Sequence, residues 1–173
     1  MNPTTLWNPT KVKNKILLLL RRSDAAREES SSLLASCVAE FCEKMGLSPE
    51  QVEKDGLGRP YFPTLPYSLS VTHSGDLFAA AFAPFPIGVD AEPLHTLRPR
   101  VAARYFTPQE RLLPFARVWT AREALSKCTG RGLSDALAAR FDGRYAYLAD
   151  QCFSVEFSRV DGYLLAIAFP HSL

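Results

Sequence analysis

The sequence predicts an α+β fold of two similar halves, each a main helix followed by three short strands in an antiparallel sheet. Three observations lead there. Apolar residues recur at three-and-four spacing over residues 24–45, and a second helical stretch runs over 115–128. After each helix come short apolar runs bounded by turn residues, at 67–91 and again at 144–169. A chain of 173 residues, 47% of them hydrophobic, is long enough to bury a core, as one domain or as two tightly packed halves. The halves share no evident sequence identity, so a pseudo-twofold relation between them is an inference from element order. It divides the chain into 1–93 and 94–173, packed as one compact pseudo-dimeric unit.

Taken in order, residues 1–14 carry Pro3 and Pro9 and no periodicity, an irregular lead-in. The apolar run 16–20 is a buried strand, although periodicity alone does not separate it from a piece of helix. Over 24–45, Leu33, Leu34, Cys37, Val38, Phe41, Cys42 and Met45 form one apolar face, and Gly46 is placed to end the helix. Ser48-Pro49-Glu50-Gln51 has the capping-box pattern and predicts a short helix or turn. Residues 55–60 are turn chemistry. The runs 67–72, 77–83 and 87–91 predict a meander, with Pro84 and Pro86 outside its ladder because neither can donate to it. Thr107-Pro108-Gln109-Glu110 is a second capping box, predicting a helix that Pro114 breaks before the main helix 115–128. Gly130 and Gly132 stop that helix. Strands follow at 144–148, 152–158 and 163–169, with Asp161-Gly162 as a hairpin turn.

Composition narrows the function. Twenty Lys and Arg against 18 Asp and Glu leave a net charge of +2, too little basic bias for a general nucleic-acid binder. The four cysteines show no C-x-x-C spacing and no dense framework, so they read as reduced core thiols. The apolar run 16–20 is too short to span a bilayer and lacks the features of a secretion signal. A cytoplasmic protein that is not membrane-bound is expected.

The stretch Pro86-Ile87-Gly88-Val89-Asp90-Ala91-Glu92-Pro93 sets two carboxylates at i and i+2, on one side of a strand and about 6–7 Å apart. Downstream, Trp119, Glu123 and Lys127 lie along one helix face at i, i+4 and i+8. If the two stretches meet, three carboxylates share a site, and each pair repels by about 4 kcal/mol at 4 Å with an effective dielectric near 20. A magnesium ion takes such oxygen ligands together with substrate phosphates, and no His or Cys cluster points to zinc. The plainer reading is an acidic strand end beside an exposed Glu123–Lys127 pair contributing about 0.2–0.5 kcal/mol. His73 and Ser74, in a polar turn between strands, and Arg59, on a rigid turn, are candidate phosphate contacts. Each of these is more ordinarily a solvated turn residue.

Order and spacing together carry more. Gly58-Arg59-Pro60, Ser70-Val71-Thr72-His73-Ser74, Ile87-Gly88-Val89-Asp90-Ala91-Glu92, Phe106-Thr107-Pro108-Gln109-Glu110, the run 119–127 and Gly130-Arg131-Gly132 resemble the 4′-phosphopantetheinyl transferase superfamily. The resemblance runs from about residue 58 to 132. It implies the fold of that family in its monomeric, pseudo-dimeric form, the type that activates peptide and polyketide synthetases. The implied reaction moves the phosphopantetheine arm of coenzyme A onto a serine of an acyl or peptidyl carrier protein, with Mg²⁺, releasing adenosine 3′,5′-bisphosphate. It further implies Asp90, Glu92 and Glu123 as metal ligands, Lys127 as stabiliser of the leaving phosphate and contact to coenzyme A, and Glu123 as base, directly or through a metal-bound water. Asp90 thereby counts among the catalytic residues. His73 and Ser74 would contact coenzyme A phosphates and Arg59 its nucleotide end, with Glu110 in a supporting role.

The departures are specific. Arg122 stands where the family usually has Lys, Ala91 replaces a larger apolar residue, and Val71-Thr72 alters the approach to His73. The segment before the first main helix is short, so the residues that bind the 3′-phosphate must come from Arg21, Arg22 or Arg27, with Arg27 the best match at the helix start. Carrier proteins are acidic, and Arg98, Arg100 and Arg104, followed by Tyr105-Phe106, are the candidate docking surface, the plainer alternative being a solvated helix face. Two other functions stay open on residues alone. One is a non-catalytic module that binds coenzyme A or a carrier, the other a Mg²⁺-dependent phosphohydrolase.

Overall fold

The computed structural model describes residues 15–22 and 30–171. It is an α+β protein that divides into two compact units, Met1–Phe85 and Pro86–Leu173.

In the first unit, strand β1 (Leu17–Arg22) comes before helix α1 (Ser30–Met45), followed by β2 (Glu53–Lys54), β3 (Pro60–Tyr61), β4 (Ser68–Ser74) and β5 (Leu77–Ala83). The main sheet has the antiparallel order β1-β5-β4, and β2 with β3 makes a separate two-residue ladder. The run 16–20 is thus a strand, as its leucines favour when the neighbouring strand is apolar throughout. Cys37, Val38, Phe41 and Cys42 of α1 pack on Leu19, Leu69, Phe78, Ala80 and Phe82, with Phe41 stacked on Phe82 at 4.5 Å between centroids. Gly46, at φ +65°, ends α1 in a Schellman motif, its N–H donating to Glu43 O and that of Leu47 to Cys42 O. No helix follows Ser48: residues 47–52 are irregular.

The second unit contains β6 (Gly88–Pro93), α2 (Pro99–Tyr105), a 3₁₀ turn (Glu110–Leu112), α3 (Phe115–Thr129) and α4 (Leu133–Ala138). The strands β7 (Arg140–Phe141), β8 (Tyr145–Leu148), β9 (Gln151–Val160) and β10 (Tyr163–Pro170) follow. They form one antiparallel sheet in the order β6-β10-β9-β8-β7. Two expectations are corrected. The run 87–91 does not close the first meander: β6 pairs with β10, Asp90 opposite Ala166 and Glu92 opposite Leu164. The second sheet accordingly has five strands rather than three. Pro84 and Pro86, neither able to donate to a ladder, bracket the point where the chain leaves one sheet for the other.

The capping box at Thr107 forms as read, Glu110 N–H donating to Thr107 Oγ1 at 3.2 Å and Thr107 N–H to Glu110 Oε2 at 2.7 Å. It yields only one 3₁₀ turn before Pro114, whose ring starts α3 instead. Helix α3 lies across the sheet with its apolar side on Phe141, Ala146, Leu148, Phe153, Val155, Ala166 and Ala168. Gly130, at φ +73°, terminates it. Asp161 and Gly162 both take positive φ, +43° and +88°, the type I′ hairpin turn that Asp-Gly favours.

Candidate functional site

The site begins with a glycine. A Cβ on Gly88 would lie 1.9 Å from Ala124 O and 2.5 Å from Cys128 N, so only glycine lets α3 approach β6 this closely. Side chains at i, i+2 and i+4 of a strand share a face. The face on which Gly88 meets α3 is therefore also the face of Asp90 and Glu92, and both carboxylates are drawn against the helix.

There Asp90, almost wholly buried, accepts an ion-paired hydrogen bond on Oδ1 from Lys127 Nζ at 2.7 Å. Glu92, also buried, accepts from Arg98 Nη2 on Oε1 and from Thr96 Oγ1 on Oε2, both at 3.2 Å. Glu123, half-buried on α3, makes no side-chain hydrogen bond among the described residues. Burial, and then the negative charge of Asp90, push its carboxyl from 4.5 up to about 7; Lys127 opposes the rise and Glu92 adds to it. Burial also raises Glu92, against the pull of Arg98 and with a further push from Asp90.

The cluster therefore sets three carboxylates against two cations, Lys127 and Arg98, and leaves one negative charge in excess on side chains that are largely out of water. Among the described residues no three acidic, His or Cys side chains converge as a ready-made metal cage. The donor set is nonetheless that of a hard cation, all carboxylate oxygen, and the crowding around Glu123 is what a divalent ion would relieve.

Beneath this cluster lies a permanent ion pair. Arg122, next to Glu123, points into the protein and donates from Nε and Nη2 to Glu110 at 3.0 and 2.6 Å, both side chains being 1% exposed. Its Nη1 reaches the carbonyls of Ala136 and Leu137 at 3.4 and 3.3 Å, and its guanidinium lies over the Phe106 ring. Glu110 also accepts from the N–H groups of Phe141 and Thr107. Sequence reading placed Glu110 near the site but not its partner. The signal was there in Arg122, an arginine with Val118, Trp119 and Leu125 as its helical neighbours at i−4, i−3 and i+3. Trp119, one turn before Glu123, is a core residue stacked with Phe115.

Of the three candidate docking arginines, Arg98 is turned to Glu92, while Arg100 and Arg104 stand exposed on α2, which buries none of its residues. Leu97 and Leu112 near them are exposed as well.

In the first unit, His73 is exposed at the end of β4, its Nδ1 in a hydrogen bond with Ser30 Oγ at 3.2 Å, and Ser74 follows it into the hairpin turn at Gly75. Arg59 Nε donates to Asp55 Oδ2 at 3.0 Å, and Asp55 Oδ1 also accepts the N–H groups of Leu57 and Arg59, which hold its carboxyl below the usual range. A cavity of about 810 Å³ in this unit is lined by Ser30, Ser31, Leu34, Lys54, Gly58 and Pro60 among others. Of the arginines considered for a further phosphate, Arg21 is paired with Glu40 at 2.5 Å and Arg22 with Asp76 at 2.7 Å. Arg27 lies outside the described residues.

A family model described as the 4′-phosphopantetheinyl transferase superfamily matches residues 86–146, the stretch that holds β6, the Thr107 turn and α3. Among curated proteins, a 4′-phosphopantetheinyl transferase of Bacillus pumilus is 31% identical over 111 residues, 56% of this chain and 48% of that protein. A 4′-phosphopantetheinyl transferase of Bacillus subtilis is 27% identical over 182 residues, 92% of this chain and 80% of that protein. The 4′-phosphopantetheinyl transferase Sfp of Bacillus subtilis strain 168 is 26% identical, with the same coverage. The match to the Bacillus pumilus protein spans about half of its length, whereas the other two extend over most of both chains.

Proposed function

We propose that the chain is a member of the 4′-phosphopantetheinyl transferase superfamily and that it transfers the phosphopantetheine arm of coenzyme A to a serine of an acyl or peptidyl carrier protein, with Mg²⁺, releasing adenosine 3′,5′-bisphosphate. The observation that carries the reading is the mutually interacting cluster of Asp90, Glu92 and Glu123 with Lys127 bonded to Asp90.

Asp90, Glu92 and Glu123 would hold the magnesium ion. When bound, it supplies positive charge to the pyrophosphate oxygens of coenzyme A, the help that phosphoryl transfer chiefly needs. The chain's own residues do the rest. Lys127, its ammonium oriented by Asp90, donates to a phosphate oxygen on which charge develops as the leaving group departs. Glu123 takes the proton from the carrier serine, directly or through a water molecule. In the first unit, Arg59, His73 and Ser74 would receive the nucleotide end and its phosphates, with Arg27 as the further phosphate contact; Gly58 and Pro60, either side of Arg59, and Ser30, bonded to His73, line one cavity there. The pseudo-twofold, monomeric form of the family belongs to the same reading. No helix among the described residues is long and apolar enough to cross a membrane, and a cytoplasmic setting remains part of this reading.

Carrier docking is assigned to α2. Reversing charge at Arg100 and Arg104 together is expected to raise KM for an acidic carrier about tenfold, with KM for coenzyme A unchanged, since such charges act mainly on association. An unaltered carrier KM would remove α2 from the interface.

The test of the function is incubation of an apo carrier protein with this chain and coenzyme A, in Mg²⁺ and in chelator. Transfer predicts a phosphopantetheine mass increment on the carrier and one adenosine 3′,5′-bisphosphate per modified carrier, in Mg²⁺ only. Inorganic phosphate released without a carrier would indicate a phosphohydrolase instead, and coenzyme A bound without transfer a non-catalytic module.

A further inference from the structure

The two cations of the acidic cluster are held differently. Lys127 meets Asp90 at 2.7 Å, with side chains 31% and 4% exposed. Arg98 meets Glu92 at 3.2 Å through one guanidinium nitrogen, and its side chain is 49% exposed against 11% for Glu92. A permanent arginine pair in the same unit looks otherwise: Arg122 uses two nitrogens on Glu110, at 2.6 and 3.0 Å, fully buried. Bidentate, desolvated pairs are the strong ones, while single, half-exposed contacts contribute little and exchange readily with solvent.

The backbone around Arg98 is fixed. Its carbonyl accepts the N–H groups of Val101 and Ala102, opening α2, and Pro99 follows it directly. The side chain is therefore the part free to move, on an anchored hinge beside Glu92. Glu92 in turn keeps a second partner, Thr96 Oγ1 on its other oxygen, which holds the carboxylate in place if the arginine leaves.

We propose that Arg98 is a built-in counter-ion: it occupies Glu92 in the metal-free protein and gives that carboxylate up when a divalent cation binds, so that Arg98 sets the cation concentration at which the site fills. This rests on the reading of Asp90, Glu92 and Glu123 as metal ligands. It removes Arg98 from the carrier-docking surface and makes it part of the cation site's own electrostatics. Without such a counter-ion the cluster would carry two excess negative charges rather than one and would bind stray divalent cations more tightly. With it, the site fills only where the cation outcompetes a guanidinium.

The test uses Mn²⁺ as the probe, followed by water-proton relaxation on the full chain without coenzyme A, for the wild type and for Arg98→Ala, Arg100→Ala, Glu92→Gln, Arg98→Ala with Glu92→Gln, and Asp90→Asn. Circular dichroism checks that each variant is folded. Arg98→Ala is expected to tighten Mn²⁺ binding about two- to fivefold, the span that a partly exposed ion pair can supply. Arg100→Ala, a charge two residues away with no contact to Glu92, should leave it unchanged. In the Glu92→Gln background, the Arg98→Ala substitution should have no effect, because the competition it removes needs the Glu92 carboxylate. If Asp90→Asn abolishes binding yet Arg98→Ala leaves it as in the wild type, the counter-ion role is wrong and the metal site stands. If Arg98→Ala tightens binding equally with and without Glu92, Arg98 acts only through its overall field and the displacement is wrong. If the wild type binds no more Mn²⁺ than Asp90→Asn does, the metal-ligand reading fails and takes this proposal with it.

Discussion

Truncating Arg122 to alanine is expected to cost about 3–5 kcal/mol of stability, the usual penalty for stripping one partner from a buried ion pair. The cost arises less from the lost attraction than from what remains. Glu110 would keep a charge in a site from which water is excluded, with only the N–H groups of Phe141 and Thr107 to satisfy it. The carbonyls of Ala136 and Leu137 and the face of Phe106 lose their donor and cation at the same time. Since a domain of this size has about 5–15 kcal/mol in total, the variant should unfold at much lower denaturant. Arg122→Lys, which keeps the positive charge, should recover part of the loss but not all. An ammonium cannot bridge both Glu110 oxygens and reach two carbonyls in one plane. Urea unfolding of the three proteins measures this, and a loss below about 1 kcal/mol for Arg122→Ala would show that the pair is not structural in the way its burial implies.

The second large effect has opposite signs on activity and stability. Glu123→Gln should lower transfer by about 10²–10³-fold, as the loss of a charge-stabilising or proton-accepting group typically does. The same substitution should stabilise the metal-free protein, because it removes a carboxylate crowded by Asp90 and Glu92. The pH dependence follows from the sign of the shift. A carboxyl at 4.5 when unfolded and about 7 when folded makes the native state the better proton binder between those values, so its ionisation destabilises the fold progressively as pH rises through 7. In chelator, the gain from Glu123→Gln should therefore be negligible near pH 4 and fully developed at pH 8. Mg²⁺ should narrow the gap at pH 8 by stabilising only the wild type. Equal stability of the two proteins at pH 8 in chelator would mean that Glu123 is not strained by its neighbours. Residues that are costly to the fold and indispensable to the reaction are what a functional site is expected to contain.

The sequence made some of this legible and hid the rest, for physical reasons that can be named. Gly46, Gly130 and Asp161-Gly162 were readable because positive φ is a local demand that few residues meet. Helix α1 was readable from its apolar stripe, but α2 was not, because its seven residues set only Val101, Ala102 and Tyr105, each half-buried, against the core, a stripe too short to read. Ser48-Pro49-Glu50-Gln51 was over-read, since a capping pattern permits a helix without requiring one. The pairing of β6 with β10 was missed because neighbouring strands usually pair, whereas this ladder joins Pro93 to Tyr163 and Gly88 to Ala168, far apart along the chain. In the candidate site, the i, i+2 and i, i+4 spacings gave the shared faces of Asp90 with Glu92 and of Glu123 with Lys127. Gly88 carried the further signal that a helix crosses just there. The turn of Arg98 toward Glu92 was invisible: it lies six positions along the chain, beyond the end of β6, and no periodicity governs a loop.

The most direct test of the account is the intact mass of an apo carrier protein incubated with coenzyme A, Mg²⁺ and either the wild-type chain or its Asp90→Ala and Glu123→Ala variants. The wild type should add one phosphopantetheine to every carrier, and both folded variants should add none on the same timescale. Full modification by either variant would contradict the assignment of β6 and α3 as the transfer centre.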